Sequence, residues 1–465
     1  MSDESRPPSR IILPGGGKPG GLVGPDGRPL FSEPADAPPE ERLPTHPRLR
    51  AVELQEANEG GRSLVVLVDP SGVAPQALAI AAEAMPVLLM LDGSVALEDL
   101  IDLVTRETGD PRAGDSIRTL VEELDRRLFL ESPRYEAALA VVREEYRARP
   151  AREAALAGLS YPEDRAELES FLATHEATAR SWRSGAAAAP GVEAAPAAPA
   201  GGAPRALAAP HIDLRRGGPV VARAFLELED VPDDARPDVV FVFGTGHLMV
   251  EEPFAVTAKS FETPLGLVET DAEVVAALAA ACGPSLLHEE LAHRDEHSIE
   301  FQVLELKRRF GDRAFRIVPV LAGGFGGLVR YERRPAEEPR VEALVGALRA
   351  EADRLAAAGK RALFVAGVDL SHVGARFGDP GDLTAEALAA VEQVDRAALA
   401  AAVAGDAEGW FDAIAAGGDA TRICGFAPMY VMLRASQPGA GRLLAYEQSI
   451  EEGGSMVSYA SIAWP

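Results

Sequence analysis

PDVVFVFGTGH, Pro237 to His247, decides how the rest of the chain is read. Val239 to Phe243 are all apolar, β-branched or aromatic, and Gly244 closes the run. Such a run predicts a strand buried in the middle of a sheet, and it leads straight into His247. Two further predicted strands behave alike. Leu207–Ala209 runs into His211, and Leu363–Ala366 runs into Asp369 and His372. In open α/β sheets, ligands bind in the crevice beyond the carboxyl ends of the strands, so loops held there can converge on one point. Gly244 and Gly246 are expected to let the backbone turn sharply around His247. Asp369 and His372 would share one face if a helix or turn begins between them.

Outward from this strand the text alternates. AEVVAALAAAC (Ala272 to Cys282) predicts a helix stopped by Gly283-Pro284. FRIVPVLAGG predicts a strand, and VEALVGALRAEADRLAAAG a long helix ending at Gly359. LLAYEQSI and SMVSYASIAW flank EEGG and predict a hairpin. From residue 151 to 465 the fold expected is therefore α/β, a central, mostly parallel sheet flanked by helices.

The first part of the chain reads differently. Residues 1–47 are rich in Pro and Gly and are expected to be disordered. Residues 185–205, GAAAAPGVEAAPAAPAGGAPR, predict a flexible insertion. Between them, residues 48–135 form a small α+β module. SLVVLVDP predicts a strand. Helices flank LDGS, with Ser94 as a cap, and SIRTLVEELDRRLFLES predicts a third helix with Leu120, Leu124 and Leu128 on one stripe. This pattern resembles the winged-helix-like PqqD modules, which implies a docked peptide. A DNA-binding role fits poorly, because acids are interleaved with the arginines of the third helix.

Composition narrows the function classes. The chain has 465 residues, 72 Asp+Glu against 46 Lys+Arg and a formal charge of −26. Such a surface repels phosphate backbones and anionic lipid, so neither nucleic acid nor membrane is expected as a partner. No apolar run approaches the roughly 18 residues of a membrane span. Two cysteines, Cys282 and Cys424, provide no disulfide framework, and MSDESRPPSR lacks the apolar segment of a signal peptide. A cytoplasmic location is expected.

The 8 histidines concentrate at few places, three of them in HEELAHRDEHSIE, His288 to Glu300. HRDEH spells H-x-x-E-H, the zinc pattern of one peptidase class. That chemistry needs His293 and His297 on one face of one helix. The apolar stripe Ile299, Val303, Leu306 and Phe310 places the helix start near Asp295, which leaves His293, like His288, in a solvated loop. The strand-end histidines carry the stronger signal. Two or three imidazoles with a carboxylate or thiolate make a metal-ligand set; a carboxylate suits non-haem Fe(II), and a thiolate pulls toward copper or zinc. Cys424, in TRICGFAPMY, is set apart from an ordinary buried cysteine by Gly425 and by polar Thr421-Arg422.

Ordered matches then accumulate over about 300 residues: AREAALAGLSYPEDRAELESFL, AAPHIDLRRGGPVVARAF, VFVFGTGH, ETPLGLVETD, DEHSIEFQVLEL, GVDLSHVGARF, CGFAPM and the terminal hairpin. They resemble the Memo family, protein B of the AmmeMemoRadiSam system. The resemblance implies a fold similar to class III LigB-type extradiol dioxygenases. It also implies a metal site of His211, His247 and Cys424 holding Fe(II) or Cu, ahead of Zn. His297, Asp369 and His372 match the family's remaining polar positions, as catalytic acid/base or orienting groups. A radical-SAM enzyme and an AMMECR1-like protein are the implied partners. The family's PHAG is PHID here and its GPNH is GTGH; both histidines survive.

Three functional expectations follow. One is a metal-dependent, dioxygenase-like oxidoreductase. Another is a non-catalytic redox sensor or adaptor whose N-terminal module binds a peptide or protein. A zinc peptidase is the third and weakest.

Overall fold

The computed structural model describes residues 43–192, 203–249, 252–451 and 453–465. Most of the Pro/Gly-rich tail (1–42) and the middle of the insertion (193–202) lie outside them. The chain divides into two compact units, Met1–Ala148 and Arg149–Pro465.

In the first unit β1 (Glu53–Glu59), β2 (Arg62–Val68) and β3 (Leu78–Ala81) form an antiparallel sheet in that order. Gly60 and Gly61, both at positive φ, make the tight turn between β1 and β2. Helices α1 (Met85–Met90), α2 (Leu97–Thr108), α3 (Ala113–Arg126) and α4 (Pro133–Ala148) follow. Val65, Leu67, Leu88, Leu97, Leu100, Val121 and Leu124 share one core. Three local expectations change. Ser94 does not cap α2: its hydroxyl binds Asp92, and the cap position is Ala96. The buried stripe of α3 is Ile117, Val121 and Leu124, while Leu128 lies past the helix end at φ 66°. Leu43, read as tail, packs against the core, and Thr45 accepts the Leu97 N–H.

The second unit begins with β4 (Ala151–Arg152), which pairs with β8 (Ser260–Phe261), and α5 (Arg165–Arg183). Its main sheet holds β5 (Ala206–Ala209), β6 (Val239–Thr245), β7 (Phe254–Val256), β9 (Glu269–Thr270), β10 (Arg316–Ala322), β11 (Ala362–Gly367), β12 (Asp369–Val373), β13 (Arg442–Ile450) and β14 (Met456–Trp464). The order is β12-β14-β5-β11-β6-β10-β7, with β13 on β14 and β9 on β10. The centre, β5-β11-β6-β10, is parallel; β7, β12, β13 and β14 make antiparallel pairs.

Helices cover both faces, and the alternation of side chains along each strand assigns them. Val239, Phe241 and Phe243 face α7 (Ala272–Cys282), α10 (Pro339–Ala357), α11 (Ala385–Ala404), α12 (Ala407–Ala415) and α13 (Phe426–Ser436). Val240 and Val242 face α5, α6 (Leu214–Phe225) and α8 (His297–Phe310). The short helix α9 (Gly326–Arg330) follows β10. Period 2 is therefore present in β6, hidden because both faces are apolar. Helix α7 and the terminal hairpin occur where the sequence places them.

Register positions the site. Gly367 of β11 lies opposite Ala209 of β5 on one side and Gly244 of β6 on the other. Three strand ends therefore stand in one row, and His211, Asp369 and His247 emerge together. Neither Gly244 nor Gly246 has a positive φ, and the backbone turns directly after them, with the Met249 N–H on the Gly246 carbonyl at 3.2 Å. Their service is space: a Cβ on Gly244 would sit 2.4 Å from Ser298 Oγ, and one on Gly367 2.1 Å from the Ser298 carbonyl. The start of α8 is thereby pressed against the strand ends.

Candidate metal centre

The residues just beyond this row bring three imidazoles together. Ligand-capable nitrogens of His211, His247 and His297 all lie within 4.8 Å of one another. The His247 and His297 rings stack at 4.8 Å and 14°, and His211 stands edge-on to each at 5.1 Å.

Two rings are held by hydrogen bonds at Nδ1, and the third has its Nδ1 beside a carboxylate. His211 Nδ1 lies 2.9 Å from the Gly367 carbonyl, which can only accept, so the proton sits on Nδ1. His247 Nδ1 lies 3.0 Å from Glu296 Oε1. His297 Nδ1 lies 3.3 Å from the same oxygen. With the protons on Nδ1 each Nε2 keeps a lone pair, that of His211 accepting from the Cys424 thiol, which a cation would displace; an oxygen acceptor at Nδ1 is the arrangement that orients a metal-binding histidine. A cation with metal–nitrogen bonds of about 2.0–2.1 Å needs only small ring shifts to gather them. The donor set therefore fits a transition metal.

Cys424 and Asp369 flank the triad. Cys424 Sγ is 3.2 Å from His211 Nε2, and Asp369 Oδ2 is 3.8 Å from it. Asp369 Oδ1 accepts the backbone N–H groups of His211 and Ile212, at 2.9 and 3.1 Å, which fixes the loop after β5. Cys424 precedes α13; its carbonyl accepts from the Thr245 hydroxyl at 2.9 Å, and Gly425 N–H donates to the Asp369 carbonyl at 3.0 Å. A residue with a side chain at 425 would drive its Cβ to 2.6 Å from that carbonyl.

Asp369 and His372 lie on β12, not on a helix or turn. A bulge between them shifts the register against β14 and re-aims the second residue. His372 Nδ1 faces the Leu370 carbonyl at 3.0 Å and its ring packs on Phe377. His372 stands outside the triad.

Burial and neighbouring charge shift these groups apart. Burial pushes His211 well below the ordinary histidine range, reinforced by His297 and His247. For His247 burial acts the same way, but the Glu296 carboxylate outweighs it and the net shift is upward. His297 and His372 are each brought down to about 4, chiefly by burial. Burial raises Asp369 to about 7 against the two backbone N–H groups that favour its charge. Burial and the Asp369 charge keep Cys424 a thiol. A nearby cation would reverse those last two shifts.

The matched family is described as Memo-like protein and spans residues 152–463. The chain belongs to the Memo family. A MEMO1 family protein of Thermus thermophilus is 30% identical over 356 residues, 76% of this chain and 94% of that one. One of Aquifex aeolicus is 26% identical over 335 residues, covering 72% and 77%. One of Methanosarcina barkeri is 31% identical over 259 residues, covering 54% and 83%. In this Memo-family chain the second unit, which begins at Arg149, holds the whole histidine cluster.

Several residues of the Memo site were not assigned from sequence. The helix α8 is capped by Glu296, not Asp295, through the Ser298 N–H at 3.0 Å. Ser298 Oγ donates to the Thr245 carbonyl at 2.9 Å, and Gln302 Nε2 to the Pro210 carbonyl at 2.9 Å. Fully buried Arg152 binds the His293 carbonyl at 2.9 Å, the Glu296 carbonyl at 2.8 Å and the Glu300 carboxylate, which also takes the Tyr161 hydroxyl. The outward signs were the family's EHSIE string, of which the histidine alone was given a role, and its opening segment, which holds Arg152 and Tyr161. His293 is no solvated loop residue: it closes the 3-10 turn Glu290–His293, is 1% exposed, and its Nε2 faces the Ala255 carbonyl at 3.2 Å. It does not join the triad, so the peptidase spelling is split across a turn and a helix. His288 is exposed.

Among the described residues no helix is long and apolar enough to cross a membrane.

Proposed function

We propose that this Memo-family protein is a metal-dependent oxidoreductase of the non-haem, dioxygenase-like kind. His211, His247 and His297 would hold Fe(II) or Cu, with Cys424 as an adjacent soft donor. One observation carries the reading: three imidazoles converge, each with an oxygen acceptor within 3.3 Å of its Nδ1, and the Cys424 thiol meets His211 Nε2 beside them. A bound redox metal supplies electron transfer and activation of an oxidant at the strand ends. The chain's own groups then position and move protons. His372 is neutral at physiological pH and can accept a proton at Nε2, since its Nδ1 proton faces Leu370. Asp369 orients the His211 loop and, with a pKa near neutrality, can take up or release a proton.

His297 has moved in this reading from acid/base group to ligand, because its Nδ1 lies beside the carboxylate that anchors His247. The test is elemental analysis of anaerobically purified protein, wild type against His211→Ala, His297→Ala and Cys424→Ser. Loss of metal in the two histidine variants is expected. Unchanged content in His211→Ala would overturn the site, and loss in Cys424→Ser without loss in His297→Ala would restore the thiolate as third ligand.

A second reading, an adaptor or redox sensor, is favoured by the first unit's separate hydrophobic core. In it, the module docks a peptide, and the radical-SAM enzyme and AMMECR1-like protein implied by the family resemblance are the partners. Stable complexes with those proteins, in the absence of any metal-dependent oxygen or thiol consumption, would decide for it.

A further inference from the structure

The two oxygens of Glu296 face four N–H groups. Oε2 accepts the His247 backbone N–H at 3.0 Å, and Oε1 accepts the Ser298 backbone N–H at 3.0 Å. Both oxygens lie 3.0–3.1 Å from His247 Nδ1, and Oε1 lies 3.3 Å from His297 Nδ1. Two of these donors are main-chain groups that cannot turn round. The carboxylate is 4% exposed, so water cannot substitute for it. It also sits on a fixed backbone, because the Glu296 carbonyl accepts from Arg152 Nη2 at 2.8 Å.

We infer that Glu296 is the positioning residue of the metal centre: one acceptor-only side chain sets the tautomer of His247 by hydrogen bonding and biases that of His297 by its adjacent charge. While it carries no proton and no N–H, His247 keeps its proton on Nδ1 and His297 is favoured to do the same, which would leave both Nε2 lone pairs for a metal. A glutamine of the same shape cannot do this. Its single oxygen satisfies one main-chain N–H, and its NH2 then faces the other and repels an Nδ1–H. The imidazole nearest the NH2 relieves the clash by moving its proton to Nε2, which removes that ring from the ligand set. This inference rests on the metal-site reading, but the tautomers exist without metal.

The test pairs two measurements on the full chain. First, Nδ1 and Nε2 of His247 and His297 are assigned by imidazole 15N NMR of the metal-free protein, wild type and Glu296→Gln. Nδ1–H on both rings in the wild type is expected, with Nε2–H on at least one in the variant. Second, Co(II) is titrated into both, read by visible absorption. The variant is expected to bind about 10–100-fold more weakly, with an altered spectrum, and Glu296→Asp, acceptor-only though shorter, to recover part of that loss. Equal Co(II) affinity and spectrum in wild type and Glu296→Gln overturns the inference while leaving the metal site standing. No Co(II) binding by the wild type overturns the metal reading, and the tautomers then decide the inference alone. If Glu296→Gln does not fold, an Nε2–H tautomer on either ring of the wild type overturns it.

Discussion

Glu296 accepts hydrogen bonds from both the backbone N–H and the imidazole Nδ1 of His247, each at 3.0 Å. The two residues lie on different elements, one beyond β6 and one capping α8. The contact therefore joins a strand end to a helix start and orients a ring in the same stroke. It also holds a proton on His247 more tightly than usual, since the net shift of that histidine is upward.

Metal binding should for that reason fail on mild acidification. A metal needs neutral imidazoles, and of the three His247 is the one whose pKa is raised above the ordinary value of about 6.5. As pH falls through that raised pKa, His247 gains a proton and affinity drops; above it, affinity levels off. His211 and His297, both shifted down, stay neutral through this range. Zn(II) or Co(II) titrations at pH 8, 7 and 6 check this. Affinity independent of pH across that range would contradict it.

Acid should also weaken the second unit through His293. Its pKa is about 3 when folded, because burial disfavours the charge, against about 6.5 unfolded. A histidine with a depressed folded pKa contributes stability that is complete above pH 6.5 and is lost as pH falls toward 3. Between pH 7 and 5 the loss is about 2 kcal/mol, at about 1.4 kcal/mol per pH unit below 6.5. His293→Gln removes this dependence. All three tryptophans, Trp182, Trp410 and Trp464, belong to this unit, so urea unfolding followed by their fluorescence reads it. Parallel pH slopes in wild type and variant would refute the assignment.

The features that were readable in sequence are those written in consecutive residues. β6 is a single apolar run, helix α7 ends at Gly283, and the last hairpin flanks its own turn. The positions of His211, His247 and Asp369 were readable for the same reason: each follows a strand directly. What sequence hid depends on pairs distant along the chain. β1, ELQEANE, is polar on both faces and carries no periodicity. The bulge between Asp369 and His372 exists only against β14. Glu296 looks like any helix-start acid until β6 delivers His247 to it, and Arg152 meets Glu300 across 148 residues.

Glycine positions separate close packing from backbone preference. Gly367→Ala places a Cβ 2.1 Å from the Ser298 carbonyl, so α8 must move away from the strand ends. Overpacking of this kind typically costs 1–3 kcal/mol, and here it should also weaken metal binding by displacing His297. Gly346, exposed in α10, has nothing within 4 Å of such a Cβ. Gly346→Ala should stabilise by roughly 0.8–1 kcal/mol, the helix preference of alanine over glycine, with no effect on metal. Fluorescence-monitored unfolding and Co(II) titration of both variants test the contrast, which collapses if they change stability in the same direction.

Arg152 should matter to the centre without touching it. Its guanidinium is fully buried with the Glu300 carboxylate, and it holds the His293 and Glu296 carbonyls that frame the turn into α8. Arg152→Ala leaves the buried Glu300 carboxyl short of its partner, with Tyr161 and the Leu156 N–H as remaining donors. Breaking one side of a buried pair typically costs 3–5 kcal/mol. The double variant Arg152→Met/Glu300→Leu removes both partners, so it should recover much of the stability by urea unfolding. It cannot recover the donors to the two carbonyls. Co(II) affinity should therefore remain reduced in the double variant even where stability returns. Restoration of both together would mean that Arg152 serves the fold alone.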